Sequence, residues 1–152
     1  MKMEETQIKI RPAVTTDAQE IVLLATQMEN NTIAIPKIGK VLAGFLESGN
    51  EAVFVAEKDG NLLGCVSLYI NWEILSGKQA RIDIIVVDSN ARGLGIGKLL
   101  MIRAEEWAEE QGSRTIKLSS NINRIESHQF YEKIGYKTTK DQRVFKKELK
   151  KL

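Results

Sequence analysis

Short blocks of apolar residues divide the chain into segments of strand and helix. A strand is predicted where apolar residues alternate with polar ones or run for a few positions, and a helix where they recur every three or four residues. The predicted strands cover residues 8–10, 51–57, 62–70, 81–87 and 115–119. The predicted helices are one that Thr16 and Asp17 cap and that reaches Met28, and three over residues 38–46, 98–111 and 124–133.

Turn residues indicate how these segments connect. Asp59-Gly60 separates two predicted strands and is a strong hairpin signal. Residues 136–138 and 144–149 predict a closing hairpin, and Gly112 is a predicted helix C-cap. The strands first follow one another and then alternate with helices. This order predicts an α/β (α+β) fold with a mixed, mostly antiparallel, twisted sheet and helices on both faces.

The composition is that of a soluble globular protein. The 152 residues fit one domain, 1–152, and 43% are hydrophobic while 28% are charged. No apolar run approaches the roughly 18 residues of a membrane span. The first residues also lack the apolar stretch of a secretory signal. We therefore expect a cytoplasmic protein without membrane association.

The counts of cysteine, histidine and charged residues argue against a disulfide-bonded, a zinc-binding or a nucleic-acid-binding protein. One cysteine, Cys65, cannot form an internal disulfide, and one histidine, His128, leaves no cluster for zinc, so no metal is expected. Cys65 lies in an apolar stretch and is predicted to be a core residue. The net charge of +2 is small, and the basic residues 146–151 indicate a solvated edge. No nucleic-acid partner is expected.

The most informative segment is a glycine-rich loop between the strand 81–87 and the helix that follows. It consists of Arg92, Gly93, Leu94, Gly95, Ile96 and Gly97, with Lys98 next. Glycines without Cβ atoms let backbone amides and the positive end of a helix approach a phosphate, and Arg92 adds positive charge. The spacing fits neither a Walker loop nor a dinucleotide fingerprint. By itself the loop is also compatible with a simple strand-to-helix turn.

Two motifs together carry a resemblance to a known family. The loop has the pattern Arg-x-x-Gly-x-Gly, and the chain resembles the GCN5-related N-acetyltransferase (GNAT) family, whose acyl-CoA pyrophosphate loop is Gln/Arg-x-x-Gly-x-Gly/Ala. The second family motif, Phe/Leu-Tyr-x-x-x-Gly-Phe/Tyr, is filled by Phe130-Tyr131 and Gly135-Tyr136. The resemblance extends from residues 10–13 over nearly the whole chain. It implies a GNAT-like fold and acetyl-CoA as co-substrate.

The resemblance also implies which residues bind acetyl-CoA. A strand before the loop pairs with the pantetheine arm, and one amide, that of Val86 or Val87, polarises the thioester carbonyl. Many relatives contact the arm with an asparagine where this chain has Arg124, with Asn123 beside it. The acetyl-CoA-binding residues implied in this way are Ile85, Val86, Val87, Arg92, Gly93, Leu94, Gly95, Ile96, Gly97, Lys98, Asn123 and Arg124.

Two side chains have implied catalytic roles. Tyr131 is the general acid that protonates the departing thiolate, although a packed aromatic would also explain it. Asp83 stands where many relatives have a glutamate that takes the amine proton, and it could instead pair with a basic neighbour. The amine is then expected to attack the thioester directly. His128 is expected to have a helix-surface or packing role.

The acceptor is the least defined part of the prediction. The acceptor is expected to be a primary amine on a small molecule or a peptide. Separately, a homodimer is possible, because relatives often form one. Residues that could line its pocket, or simply pack, are Met28, Ile35, Tyr69, Trp72 and Glu73. The alternative is a non-catalytic acyl-CoA-binding sensor or interaction module. Free thiol release across an amine panel distinguishes the two.

Overall fold

The computed structural model describes residues 7–28 and 35–150. Its strands are β1 (Lys9–Pro12), β2 (Glu51–Lys58), β3 (Asn61–Glu73), β4 (Gly77–Val87) and β5 (Ile116–Lys117). Its helices are α1 (Ala18–Ala25), α2 (Ile35–Glu47), α3 (Ile96–Glu110) and α4 (Ile125–Lys133). The predicted elements up to residue 133 are therefore present, with shifted bounds. β3 and β4 are longer than predicted, and β5 is shorter.

The strands form one sheet in the order β1-β2-β3-β4-β5. The first four are antiparallel to their neighbours, and β5 is parallel to β4. The predicted hairpin at Asp59-Gly60 is confirmed, because both residues have positive φ (52° and 79°), as a tight two-residue turn between twisted strands requires. The mixed, mostly antiparallel sheet confirms the predicted fold class.

Helices cover both faces of this sheet. On the first face, which we call the α1 face, Val55, Cys65 and Val86 join one buried cluster with Ile21 and Leu42 from α1 and α2.

On the opposite α3 face, β3 comes so close to α3 that a Cβ at Gly64 would lie 3.0 Å from Leu100 Cδ1. An added methyl group there would overpack the core, at a cost of about 1–3 kcal/mol.

A cluster of ion pairs connects β1, β2 and the turn before α1. Asp17 accepts hydrogen bonds from both Arg11 terminal nitrogens (2.8 and 3.0 Å) and from the Val14 amide (2.8 Å), and Arg11 Nε donates to Glu57 (2.9 Å). The hydrogen bond from Arg11 holds the pKa of Asp17 below its usual value. Asp17 stands at the N-cap of α1, but its carboxylate makes no cap hydrogen bond. The bond from the Val14 amide instead caps the 3-10 turn Thr15–Asp17 that leads into α1, so the predicted capping role of Asp17 is confirmed for that turn and not for α1.

The predicted C-terminal hairpin was also wrong. The structure has no strand between Ile134 and Lys150. Val144, Phe145 and Leu149 are 93%, 88% and 84% exposed, so these apolar side chains bury too little surface to hold two strands together. The described residues divide into two compact units, with the boundary between Ser119 and Ser120.

Candidate active site

The edge of β4 is open over its second half. β4 pairs with β5 only at Ala80↔Ile116 and Arg81↔Lys117, although β4 continues to Val87. β3 covers the other edge of β4 along its whole length. Beyond Arg81, no described strand pairs with the β5 side of β4. That side therefore offers backbone groups to a ligand.

Hydrogen bonding within the β3–β4 ladder decides which amides face this open edge. The Asp88 amide donates to the Leu63 carbonyl at 2.8 Å, and in an antiparallel pair such bonded positions recur every second residue. The Val86 amide therefore faces β3. The amides of Ile85 and Val87 face the open edge, so of the two amides predicted to polarise the thioester, Val87 has the suitable direction and Val86 does not.

Asp83 lies at the start of the open edge, in a bulge. The register passes from Ser67↔Ile84 to Leu68↔Ile82, which leaves Asp83 without a cross-strand partner. Ser67 Oγ donates to Asp83 Oδ2 at 3.1 Å and accepts from the Ile84 amide at 3.3 Å. Asp83 is exposed. Among the described residues, no cationic side chain lies within 4.0 Å of its carboxylate as an ion pair. Its carboxylate is thus oriented by a hydroxyl and left open to solvent.

Sequence reasoning missed Ser67. It is 5% exposed and stands in an otherwise apolar strand, where a buried hydroxyl needs a hydrogen-bond partner. That lone polar residue was the available signal. It could not identify Asp83 as the partner, because the bulge that brings the two together is not visible in the sequence.

The glycine loop leads from β4 into α3. Gly93 and Gly95 have φ of 83° and 77°, a backbone conformation that residues with a Cβ rarely adopt. Apart from the glycine and its chain neighbours, no atom of the described residues lies within 4 Å of the Cβ that either residue would carry. Arg92 and Leu94 are exposed, as is Lys98 in the first turn of α3. The loop is an open cradle lined by backbone rather than by side chains.

The first turn of α3 supplies the amides of this cradle. Gly95 is the N-cap, and the first intrahelical bond runs from the Leu99 amide to the Gly95 carbonyl at 3.1 Å. The amides of Ile96, Gly97 and Lys98 therefore have no partner within the helix, and the positive helix end strengthens their attraction for an anion. Ile96 itself is 1% exposed and anchors the turn in the core.

The Tyr-x-x-x-Gly spacing of the second motif is a helix C-cap. Gly135 has φ of 101°, its amide donates to the Glu132 carbonyl at 3.1 Å, and the Tyr136 amide donates to the Tyr131 carbonyl at 2.9 Å. The rings of Tyr131 and Tyr136 meet edge to face, with centroids 6.2 Å apart. Partial burial raises the pKa of Tyr131 above its usual 10.0, against a smaller opposing effect of Arg124. Its phenol is protonated at neutral pH.

Arg124 and His128 shape the start of α4. The Asn121 carbonyl accepts the Arg124 amide at 3.0 Å and lies 2.9 Å from His128 Nε2. This contact links His128 to the segment before α4, and its helix-surface or packing role stays a prediction. Asn123 is exposed and Arg124 is half-buried.

Comparison with known proteins agrees with this geometry. A model of the acetyltransferase (GNAT) family matches residues 23–136, three quarters of the chain. The chain belongs to the GNAT family. The resemblance inferred from the two motifs is thereby confirmed, and with it the prediction of an acyltransferase.

Curated members of the GNAT family show which relatives are near. The aminoalkylphosphonate N-acetyltransferase of Salmonella typhimurium is 29% identical over 130 residues, which cover 85% of this chain and 84% of the relative. The glucosamine 6-phosphate N-acetyltransferase of Trypanosoma brucei brucei is 31% identical over 113 residues, 70% of this chain and 75% of the relative.

Solved GNAT structures share the fold. An aminoglycoside N-acetyltransferase in complex with CoA superposes with a TM-score of 0.87 at 18% identity, covering 97% of this chain and 99% of that chain. An aminoglycoside 6'-N-acetyltransferase of Acinetobacter haemolyticus gives 0.81 at 17% identity, covering 93% and 99%.

The α1 face of this GNAT sheet is polar where it extends beyond the buried cluster. Strand neighbours in register share a face, and residues two apart in a strand do so too. We call this region the polar sheet face, and it comprises Glu51, Ser67, Tyr69, Asn71, Glu73, Gln79, Arg81, Asp83 and Lys117. One side-chain oxygen each of Glu51 and Gln79 is buried without a hydrogen-bond partner in the part of the chain that the structure describes.

One candidate pocket residue, Trp72, lies on the other face of the sheet from Asp83. Trp72 is in register with Lys78, and the Lys78 ammonium lies over its ring and bonds to the Gln111 carbonyl at the end of α3. Trp72 therefore belongs to the α3 face, because strand residues alternate between faces. Met28 packs against the core cluster, and the side chain of Ile35 lies outside the described part of the chain.

Cys65 has the predicted core position. It is fully buried, and burial raises the pKa of its thiol to about 12. Within residues 7–28 and 35–150, every helix is too short or too polar to traverse a lipid bilayer.

Proposed function

We propose that the chain transfers the acetyl group of acetyl-CoA to a primary amine by direct attack. One observation carries the proposal: the open edge of β4 begins at a solvent-accessible carboxylate, Asp83, and ends at the glycine loop. The thioester of acetyl-CoA would lie at the Asp83 end and its diphosphate at the loop end. After Asp83 the strand continues for four residues to Val87, about 13 Å at 3.3 Å per residue, and the loop follows after a short turn.

The loop fits the diphosphate of CoA. The Cβ positions of Gly93 and Gly95 point into open space, so side chains there would occupy the room that a ligand needs. The amides of Ile96, Gly97 and Lys98 would donate to the diphosphate, and Arg92 would add charge. Along the strand, the amides of Ile85 and Val87 would bind the pantetheine arm. Bound in this way, acetyl-CoA would supply an acetyl group activated as a thioester.

The proposed chemistry uses two side chains and one amide. Asp83, oriented by Ser67, takes the proton that the amine loses as its nitrogen bonds to the acetyl carbon. The amide of Val87 or Ile85 stabilises charge on the carbonyl oxygen. Tyr131 gives its proton to the sulfur as the carbon–sulfur bond breaks. Burial suits this role, because a phenol with a raised pKa stays protonated until it is needed.

The relatives support a small acceptor. Their names describe acetylation of aminoalkylphosphonate and of glucosamine 6-phosphate, both small molecules with a primary amine. We extend that class to this chain, and include Asn123 and Arg124 among the residues proposed to contact the pantetheine arm.

A thiol-release assay tests the proposal. The purified protein is mixed with acetyl-CoA and a panel of primary amines, and free CoA is followed with a thiol reagent. The buried Cys65 adds no background while the protein is folded. We expect amine-dependent release for at least one amine. CoA binding by calorimetry without release for any amine would instead indicate the non-catalytic binding module.

A further inference from the structure

Two cationic side chains stand side by side on the polar sheet face. Arg81 and Lys117 are direct neighbours in the parallel β4–β5 ladder, and neighbours in register point to the same side. Both are half-buried. Like charges in directly opposite positions are unfavourable in a sheet. An anion bound between the two side chains would relieve this repulsion.

No carboxylate in the described part of the chain supplies that anion. No ion pair to Arg81 or Lys117 occurs within 4.0 Å among these residues. The contact of Arg81 is instead a hydrogen bond from Nη2 to the hydroxyl of Ser119 at 3.2 Å. Ser119 lies two residues beyond Lys117, so this bond directs the guanidinium towards the point where β4 and β5 separate.

The carboxylates of the polar sheet face have other partners or lie on another strand. Asp83 accepts from the Ser67 hydroxyl, and Glu73 Oε1 accepts a hydrogen bond from Asn71 Nδ2 at 3.2 Å. Glu51 is separated from Arg81 by a whole strand, because both are register partners of Tyr69.

We propose that Arg81 and Lys117 bind an anionic group of the amine acceptor. This inference rests on the proposed function, since it assumes that the amine is presented to Asp83. The two sites are adjacent: Asp83 follows Arg81 by two residues, about 6–7 Å along a strand. A small molecule with an amine at one end and a carboxylate, phosphate or phosphonate at the other spans that distance.

The pair is separate from the site for the CoA diphosphate. From Arg81 to Val87 the strand covers about 20 Å at 3.3 Å per residue, and the glycine loop lies beyond that. An arginine beside a lysine suits an oxyanion, because the guanidinium offers a two-pronged set of donors and the ammonium a point charge. The acceptor is therefore an amino acid or an amine that carries a phosphate or phosphonate.

Matched acceptors test the inference by activity. Propylamine, β-alanine and 2-aminoethylphosphonate differ mainly in the group at the end opposite the amine. We expect the anionic acceptors to exceed propylamine in kcat/KM by about tenfold to a hundredfold, the range of one charge-assisted hydrogen bond. Arg81→Gln and Lys117→Gln should raise KM for the anionic acceptors about tenfold, with little change in kcat or in propylamine turnover. Lys9→Gln, an exposed lysine on β1, is the matched control.

A binding experiment decides the question without turnover. Inorganic phosphate is titrated calorimetrically into each protein with saturating CoA present, so that the loop is occupied. We expect phosphate to bind the unsubstituted protein and Lys9→Gln about tenfold more tightly than either site variant. Equal binding by all four proteins, or no binding by any, would overturn the inference. Equal kcat/KM for propylamine and the anionic acceptors would also overturn it, and would leave the proposed acetyl transfer intact. Absence of turnover with every amine, alongside the expected phosphate binding, would contradict the proposed function alone.

Discussion

Gly95→Ala tests whether the glycine loop binds the CoA diphosphate, because the substitution should affect both the stability of the protein and its affinity for CoA. Gly95 has φ of 77°, where an alanine costs roughly 1–2 kcal/mol of stability. Beyond its chain neighbours, the new methyl group meets no atom of the described residues within 4 Å, so these residues add no clash. It would enter the proposed diphosphate site and weaken one charge-assisted hydrogen bond, worth about 2 kcal/mol. We therefore expect the Kd for CoA to rise roughly thirtyfold, at 1.4 kcal/mol per tenfold.

Gly77→Ala is the matched control for this variant. Gly77 has the same φ of 77° and equally open space around its Cβ position, but it begins β4, at the opposite end of the strand from the loop. Both variants should lower Tm by about 2–8 °C. Only Gly95→Ala should lose affinity for CoA, measured by calorimetry on the folded protein. If the two variants bind CoA equally well, the loop does not hold the diphosphate.

Four further outcomes are expected. Tyr131→Phe should lower kcat about a hundredfold at an unchanged Kd for CoA, and full turnover would remove Tyr131 from the mechanism. Asp83→Asn should lower kcat/KM by a similar factor in the thiol-release assay, whereas a mere surface role predicts no change. Because Arg11 lowers the pKa of Asp17, the stability from this pair is present above about pH 4 and is lost as the pH falls through the folded-state pKa. Asp17→Asn should cost about 3 kcal/mol in urea unfolding at pH 7 and flatten that acid dependence. Iodoacetamide should leave Cys65 unmodified at pH 8 until the protein unfolds, since burial raises its pKa to about 12.

Local signals in the sequence predicted the turns, the loop and the helix ends, which depend on the backbone conformation of single residues. Glycine was needed at positive φ at Gly60, Gly95, Gly112 and Gly135, and each of these positions was predicted as a turn, loop or helix end. Gly112 ends α3 with the same pair of bonds as Gly135 ends α4. In such places one residue type satisfies one local requirement, so the sequence alone is informative.

Features that depend on register could not be predicted. The contact between Ser67 and Asp83 exists because a bulge shifts β4 by one residue, and no local pattern marks that shift. The same cause left the choice between pocket and packing open for Trp72, whose face follows from the pairing of β3 with β4. The missing C-terminal hairpin has a different cause. Apolar residues near Val144 suggested strands, but strands need a partner surface, and the sequence does not show whether one is available.

The two halves of the proposed site use different kinds of group to bind their ligands. The proposed acetyl-CoA half consists mostly of backbone amides on β4 and α3, which side-chain substitutions leave in place. The proposed acceptor half consists of side chains such as Arg81 and Lys117, and each can change without altering the ladder between β4 and β5. Acceptor preference should therefore be separable from acetyl-CoA binding. Lys117→Glu places a carboxylate beside Arg81, and we expect it to abolish the preference for anionic amines while the Kd for CoA stays constant. A parallel loss of CoA affinity would show that the two halves are coupled.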